Sequence, residues 1–461
     1  MASLSTDVSG RDSRRAITLL AAMCAVSGLF YGYNLGVIAG AVLFIVDAFH
    51  LSADFADAVV SASLLGAMLG AIAGGKLADW LGRRRTVALG GLIGFAGALL
   101  ATLSLVIDML VAGRIVVGFS IGMLTCVVPL FIAELSPSHL RGRLGALFSV
   151  ALTVGLMTAF VSDYAFRDSH LTWRWMFGVG TVPALVLIVI VMTLPESPRW
   201  LLVRGLKEKA RDVLRRMQGT PDVEDQVAAI EAGLAQQTGR WADLLNPMHR
   251  RALVAGLGVA VIRHATGVTL ATFWAPELFR LAGFSSRSVD LMGTVGVGVV
   301  YVVFGLVGLW FVDRLGRRPL MLWGLAGMFA MLLALAAIFQ LSDMSGWAGT
   351  LAVAAFFVFV MTFTAGPGVV VFLLISELLP LQIRALGMGI ANLVLWGTYL
   401  VSTLSFPILI GLIGDGGTFL VYAFFCAAAF LFMLFLVPET KGRSLEEIEA
   451  AWRRSERRVN D

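Results

Sequence analysis

Several ionisable side chains interrupt apolar runs of this sequence, among them Arg114, Asp163, Arg263 and His264. Arg263 follows Arg251 by 12 residues (263 − 251), roughly 18 Å along a helix and so near the middle of an apolar layer of about 30 Å. An arginine at that depth costs on the order of 2.5 to 3.5 kcal/mol to insert, so it is expected to face a wet cavity or a partner. Its planar fork suits a carboxylate or phosphate, and the alternative is a structural ion pair with Asp163. His264 points about 100° away around the same helix, where it would titrate near neutral pH or pack as a hydrogen-bonded residue. Gly267 would let the segment bend, or would serve close packing.

A second group of charges recurs. Asp79, Arg83 and Arg84 reappear as Asp313, Arg317 and Arg318 at an offset of 234 (313 − 79). Glu134 and Arg141 reappear as Glu377 and Arg384 at 243 (377 − 134), and Glu196, followed by Arg199, reappears as Glu439 at 243 (439 − 196). Acids and bases at these spacings can pair with each other and with helix termini. They read as a latch that holds one mouth of the molecule shut, or as ordinary topology-setting charges.

The elements that must position these residues follow from composition. Of 461 residues, 58% are hydrophobic and 14% charged, and mean hydropathy is +0.87. A water-soluble domain could not bury so much apolar surface, and a bilayer must be the solvent. Runs of roughly 20 apolar residues each span that layer as a helix. They are expected near 17–46, 55–78, 86–106, 109–133, 144–166, 175–194, 252–282, 290–312, 319–340, 347–376, 386–413 and 417–437. Cys24, Cys126 and Cys426 each fall inside such a run and read as small hydrophobes. The first apolar stretch is too long for a signal-peptide core and is expected to stay as the first span.

Arginines collect at alternate span ends, at 83–85, 141–143, 314–318 and 384. By the positive-inside rule those loops are expected to be cytoplasmic, with both termini inside, and the expected location is the plasma (inner) membrane. The charged stretch 195–250 divides the spans six and six. The expected organisation is a six-helix bundle over 1–194, a cytoplasmic helical linker over 195–250, a second six-helix bundle over 251–437 and a cytoplasmic tail over 438–461. Two such halves are the plan of rocking-bundle carriers, which hold a small solute near the bilayer midplane. No nucleophile with a base, metal-ligand cluster or phosphate-binding loop is visible, which argues against an enzyme and against direct ATP driving.

Several motifs together resemble the sugar porter family of the major facilitator superfamily. They are Gly-Arg-Arg after spans two and eight, Arg141-Gly-Arg143, Pro-Glu-Ser-Pro-Arg at 195–199, Pro-Glu-Thr-Lys-Gly at 438–442, the run from Gly28 to Ala41, and Ala275-Pro276-Glu277. The resemblance implies an all-α membrane protein with the major facilitator fold, twelve transmembrane helices in two six-helix bundles. It also implies solute-binding positions, and these depart from the family pattern. Where relatives carry Gln-Gln, Gly and Asn in span seven, this chain has Arg263, His264, Gly267 and Thr269. Val370 and Leu393, the latter after Asn392, stand where relatives carry tryptophans, and Leu156 where span five usually has glutamine. Arg114 falls where the family buries an arginine facing span one. Its partner in proton-coupled relatives is an aspartate, and here it is Asn34, as in facilitative uniporters. An amide takes up no proton, so His264 and Asp163 are the groups left that could handle a co-transported one.

The expectation is thus a secondary active or facilitative carrier, acting by alternating access as a monomer in the lipid bilayer, of a small hydrophilic solute such as a sugar, polyol or sugar acid. The candidate solute-binding residues are Arg263, His264, Gly267, Thr269, Asn34 and Asn392, and the coupling candidates are Arg114, Asn34, Asp163 and His264. Arg263 raises the alternative of a proton-linked carrier of a small organic anion, and a solute sensor is the third reading. No cofactor, metal or nucleic acid is expected.

Overall fold

The computed structural model describes residues 2–218, 222–236, 244, 246–284, 286–340, 347–380 and 382–441, and every regular element among them is helical. In hydrocarbon each backbone N–H and C=O must be satisfied within the protein, and an apolar run does this alone only as a helix. Span one is α1 (Ala2–Gly36) and α2 (Ile38–Phe49), interrupted at Val37. Spans two to five are α3 (Ala53–Leu81), α4 (Arg83–Thr102), α5 (Ile107–Leu135) and α6 (Ser138–Phe166). Span six is α7 (Thr172–Val179) with α8 (Thr181–Thr193). The linker supplies α9 (Pro198–Val203), α10 (Lys207–Gln218) and α11 (Glu224–Gln236).

In the second half, span seven is broken into α12 (Pro247–Ala265), α13 (Thr269–Phe273) and α14 (Ala275–Leu281). Spans eight and nine are α15 (Arg287–Leu315) and α16 (Arg317–Ile338). Span ten is α17 (Trp347–Phe363), a π-helical turn at Thr364–Gly368, and α18 (Val369–Leu378). The run α19 (Arg384–Leu436) holds spans eleven and twelve, which meet at Gly414, a residue with φ 73° and ψ 176°. Among the described residues 10 helical runs are long and apolar enough to cross a membrane. Two features account for the difference from twelve: span seven is broken, and spans eleven and twelve run together.

By contacts the chain divides into two compact units, one of residues 1–34, 65–155 and 174–237, the other of residues 35–64, 156–173 and 238–461. In the second, the ends of spans one, two and five away from the arginine-rich loops cluster with spans seven to twelve. This partition by contact is of another kind from the six-and-six division of the sequence. Within the first unit the linker helices make a small layer of their own around Leu201, Leu202, Ala210, Leu214, Val223 and Val227. Trp200 Nε1 donates to the Asp79 carbonyl at 3.0 Å, and Arg204 to the Trp80 carbonyl at 2.8 Å, which ties that layer to the end of α3.

Candidate functional site

Span seven breaks at the glycine expected to break it. Gly267 has φ 87°, a conformation that side chains rarely adopt, and a Cβ there would stand 3.1 Å from the Tyr422 ring. The last turn of α12, just before the break, carries Arg263 and His264.

Arg263 is 9% exposed. Its Nη1 donates to the Gly368 carbonyl at 3.0 Å, and its guanidinium lies 4.6 Å from the Phe372 ring centroid and 6.0 Å from that of Phe363. Gly368 closes the π-helical turn, where Pro367 contributes no N–H and the regular ladder is shifted. The ion pair with Asp163 that the sequence suggested is not among the described contacts. Asp163 instead accepts from the Gly40 N–H at 3.1 Å, and Arg263 meets a carbonyl through Nη1 and two aromatic faces, while its buried Nε has no hydrogen-bond partner among the described residues.

His264 stacks on Tyr399 with centroids 3.8 Å apart and planes 11° from parallel. Neither of its ring nitrogens has a hydrogen-bond partner among the described residues. Its carbonyl accepts from Ser402 Oγ at 2.9 Å, and Ser402 Oγ lies 3.1 Å from Thr269 Oγ1. The hydroxyls of Thr269 and Ser402 thus bridge the break to α19. Phe273 and Trp396 extend the stack on Tyr399, at 5.4 and 5.9 Å. Asn392, half-buried, lies on the α19 face of Trp396 and Tyr399 by helical spacing, at i, i+4 and i+7. His264, Thr269 and Asn392 therefore flank one aromatic and hydroxyl-lined region, while Arg263 turns to span ten.

Asn34 and Arg114 meet in the first unit. Arg114, 0% exposed, donates from Nη1 to the Asn34 backbone carbonyl at 2.8 Å and lies 5.6 Å from the Phe177 centroid. The Asn34 amide donates to the Phe30 carbonyl of its own helix at 3.0 Å. Its expected bond to another helix is therefore made by its backbone carbonyl. Tyr33 reinforces the contact by donating to the Met176 carbonyl at 2.6 Å. Spans one, four and six are joined here.

The recurrent charges form two clusters of matching geometry. In the first, Arg83 pairs with Glu134 at 3.0 Å and Asp79 at 3.3 Å, and Glu196 Oε1 accepts from the N–H groups of Arg83 and Arg84 at 2.8 and 3.1 Å. In the second, Arg317 pairs with Glu377 at 3.3 Å and Asp313 at 3.4 Å, and Glu439 accepts from the N–H groups of Arg317 and Arg318 at 3.1 and 3.0 Å. Each glutamate sits on the first turn of a helix, where the partial positive charge favours an anion. Arg199 acts electrostatically on Glu134, and Arg384 Nε donates to the Leu379 carbonyl at 3.1 Å. The side chain of Arg141 lies outside the described residues.

Sequence reasoning missed two members. Ser197 Oγ donates to Glu134 and Thr440 Oγ1 to Glu377. Both hydroxyls follow the repeated Pro-Glu at the same offset of 243 (440 − 197), a signal open to reading. Tyr399 and Ser402 were also missed, and no local pattern in span eleven distinguishes them.

Residues 20–452 match the family described as sugar (and other) transporters. The chain is 39% identical over 425 residues to the putative metabolite transport protein YwtG of Bacillus subtilis, covering 92% of this chain and 93% of that protein. It is 35% identical over 427 residues to the glucose transporter GlcP of Staphylococcus epidermidis, covering 92% and 95%, and 31% identical over 442 residues to the galactose-proton symporter of Escherichia coli, covering 95% of each. The structure of the proton:xylose symporter XylE bound to 6-bromo-6-deoxy-D-glucose superposes with a TM-score of 0.81 at 28% identity, over 95% of this chain and 100% of that one. A carrier fold over the whole length makes the protein a membrane transporter working by alternating access, and not an enzyme. Motifs, fold and relatives agree, and the chain belongs to the sugar porter family of the major facilitator superfamily.

Proposed function

We propose that the solute is a neutral polyhydroxylated molecule, a sugar or polyol, bound beside the break in span seven. The observation that carries this reading is the stack of His264 on Tyr399 beside the Thr269 and Ser402 hydroxyls. Flat aromatic surface and short hydroxyl groups suit the apolar face and the hydroxyls of a sugar. Relatives named for glucose, D-xylose and polyols support the same class.

In this reading His264, Thr269 and Asn392 contact the solute, Gly267 provides the bend, and Asn34 with Arg114 fixes span one. Arg263 positions span ten through Gly368. Its engagement with that carbonyl and with Phe372 is the reason the organic-anion alternative is placed second. The two charge clusters, with Arg141, Arg199 and Arg384, brace the ends of each half and act as the inner latch during rocking. The protein works as a monomer in the plasma (inner) membrane, with the linker 195–250, the tail 438–461 and both termini in the cytoplasm. A proton is the proposed co-transported ion. Asn34 is an amide, so the proton is carried elsewhere than at span one.

Uptake into proteoliposomes tests the reading, with D-glucose, D-xylose, D-galactose, myo-inositol and D-gluconate as probes for the wild type and Arg263→Gln. Saturable uptake of a neutral probe by both forms is expected. Uptake of gluconate alone, abolished by Arg263→Gln, would replace the reading with the anion carrier.

A further inference from the structure

Asp163 lies one turn before the end of α6 and is 1% exposed. Oδ2 accepts the Gly40 N–H at 3.1 Å, and Oδ1 has no hydrogen-bond partner among the described residues. Gly40 lies in the first turn of α2, directly after the interruption of span one at Val37. A side chain inserted into a helical ladder is a recognised cause of such an interruption, and the ladder group taken here is the Gly40 N–H. The approach needs a glycine, since a Cβ at Gly40 would stand 2.6 Å from Asp163 Cβ and Oδ2.

Most of the charged groups on the neighbouring elements are engaged elsewhere. Just after α6, Arg167 pairs with Asp168 at 3.2 Å and lies over the Tyr164 ring. On α2, Asp47 pairs with Arg287 of α15 at 2.9 Å, and beyond it Glu277 of α14 is bonded to Arg280. Asp290, in the first turn of α15, is a second acid. Among the described residues none of these is bonded to Asp163. A carboxylate with a single hydrogen bond and no counter-charge is costly to bury, and a bound proton removes that cost.

We propose that Asp163 is a proton-binding site that sets the shape of span one. The proposal rests on the transport reading above. In the closed contact between α2 and α6 the carboxyl is neutral and its carbonyl oxygen accepts the Gly40 N–H. Loss of the proton to the aqueous phase opposite the arginine-rich loops leaves a carboxylate that must be hydrated, and the contact loosens at Val37. One proton binds and one is released at the same atom. The proton site of this chain is therefore on span five, away from the Asn34 position.

Proteoliposomes with inner and outer pH set independently test this, with D-glucose, D-xylose and D-galactose as probes, alongside solute exchange at equal pH. In the wild type, uptake should change several-fold with the pH on the side opposite the arginine-rich loops. Asp163→Asn, a mimic of the neutral form, should exchange solute with a flat pH profile. In purified protein, the infrared stretch of a protonated carboxyl should be present in the wild type and absent in Asp163→Asn. An unchanged pH profile in Asp163→Asn, or an unchanged carboxyl band, overturns the proposal. Absence of uptake and exchange of every probe in the wild type would instead overturn the transport reading, and the infrared result would still decide the proton site.

Discussion

Ser197 Oγ donates to Glu134 Oε2 at 2.5 Å, and 243 residues later Thr440 Oγ1 donates to Glu377 Oε2 at the same distance. The same hydroxyl-to-carboxylate bond thus closes a cluster in each half, and its loss should be felt alike in both. Ser197→Ala and Thr440→Ala should each lower stability by about 1.5 to 3 kcal/mol, the range for a hydrogen bond to a charged group. Thermal unfolding in detergent measures it, and a fall in only one variant would deny the equivalence.

Removing the acid itself should cost more. Glu134→Ala leaves the Arg83 guanidinium, whose side chain is 10% exposed, without its buried partner, at a cost of about 3 to 5 kcal/mol. The double variant Glu134→Ala with Arg83→Met should recover much of that loss. A double-mutant cycle on unfolding free energies checks the coupling.

At the break of span seven the cost is backbone strain. Gly267→Ala places a side chain where φ is 87° and the Tyr422 ring is near, and should destabilise by about 1 to 3 kcal/mol. Uptake should slow further than stability alone explains, since the break is where the span bends. Paired measurements of melting temperature and initial uptake separate the two effects.

The pair Arg287–Asp47, 2.9 Å apart, is exposed on both sides. Such pairs contribute about 0 to 1 kcal/mol and are screened by salt. Asp47→Asn should leave the melting temperature nearly unchanged at high salt, and a large loss there would show a partner other than Arg287.

Tyr399 holds the His264 ring. Tyr399→Ala removes a stacked pair contributing about 0.5 to 1.5 kcal/mol beyond its burial and should weaken solute binding more than Tyr399→Phe does. Ligand-induced thermal shifts with D-glucose and D-xylose compare the two.

The crossings and the paired charges were legible because each is a local signal: length of apolar run, sign of a loop, offset of a repeat. Gly267 was legible for the same reason, as a small residue inside a span. Contacts between distant spans were not. Arg263 carries no mark that its partner is the Gly368 carbonyl, 105 residues away, because that acceptor exists only once span ten adopts its π-helical turn. Asp163 looked like a counter-ion from its charge, yet geometry gave it a backbone N–H of span one. His264 on Tyr399 depends on how α12 and α19 pack, which periodicity does not encode.

Gly82 and Gly316, with φ 94° and 98°, each precede a helix whose first N–H groups bind a glutamate. A side chain at either position would collide with that glutamate. A complete substitution map would therefore show twin intolerant positions 234 residues apart (316 − 82), one at the same step of each repeated half.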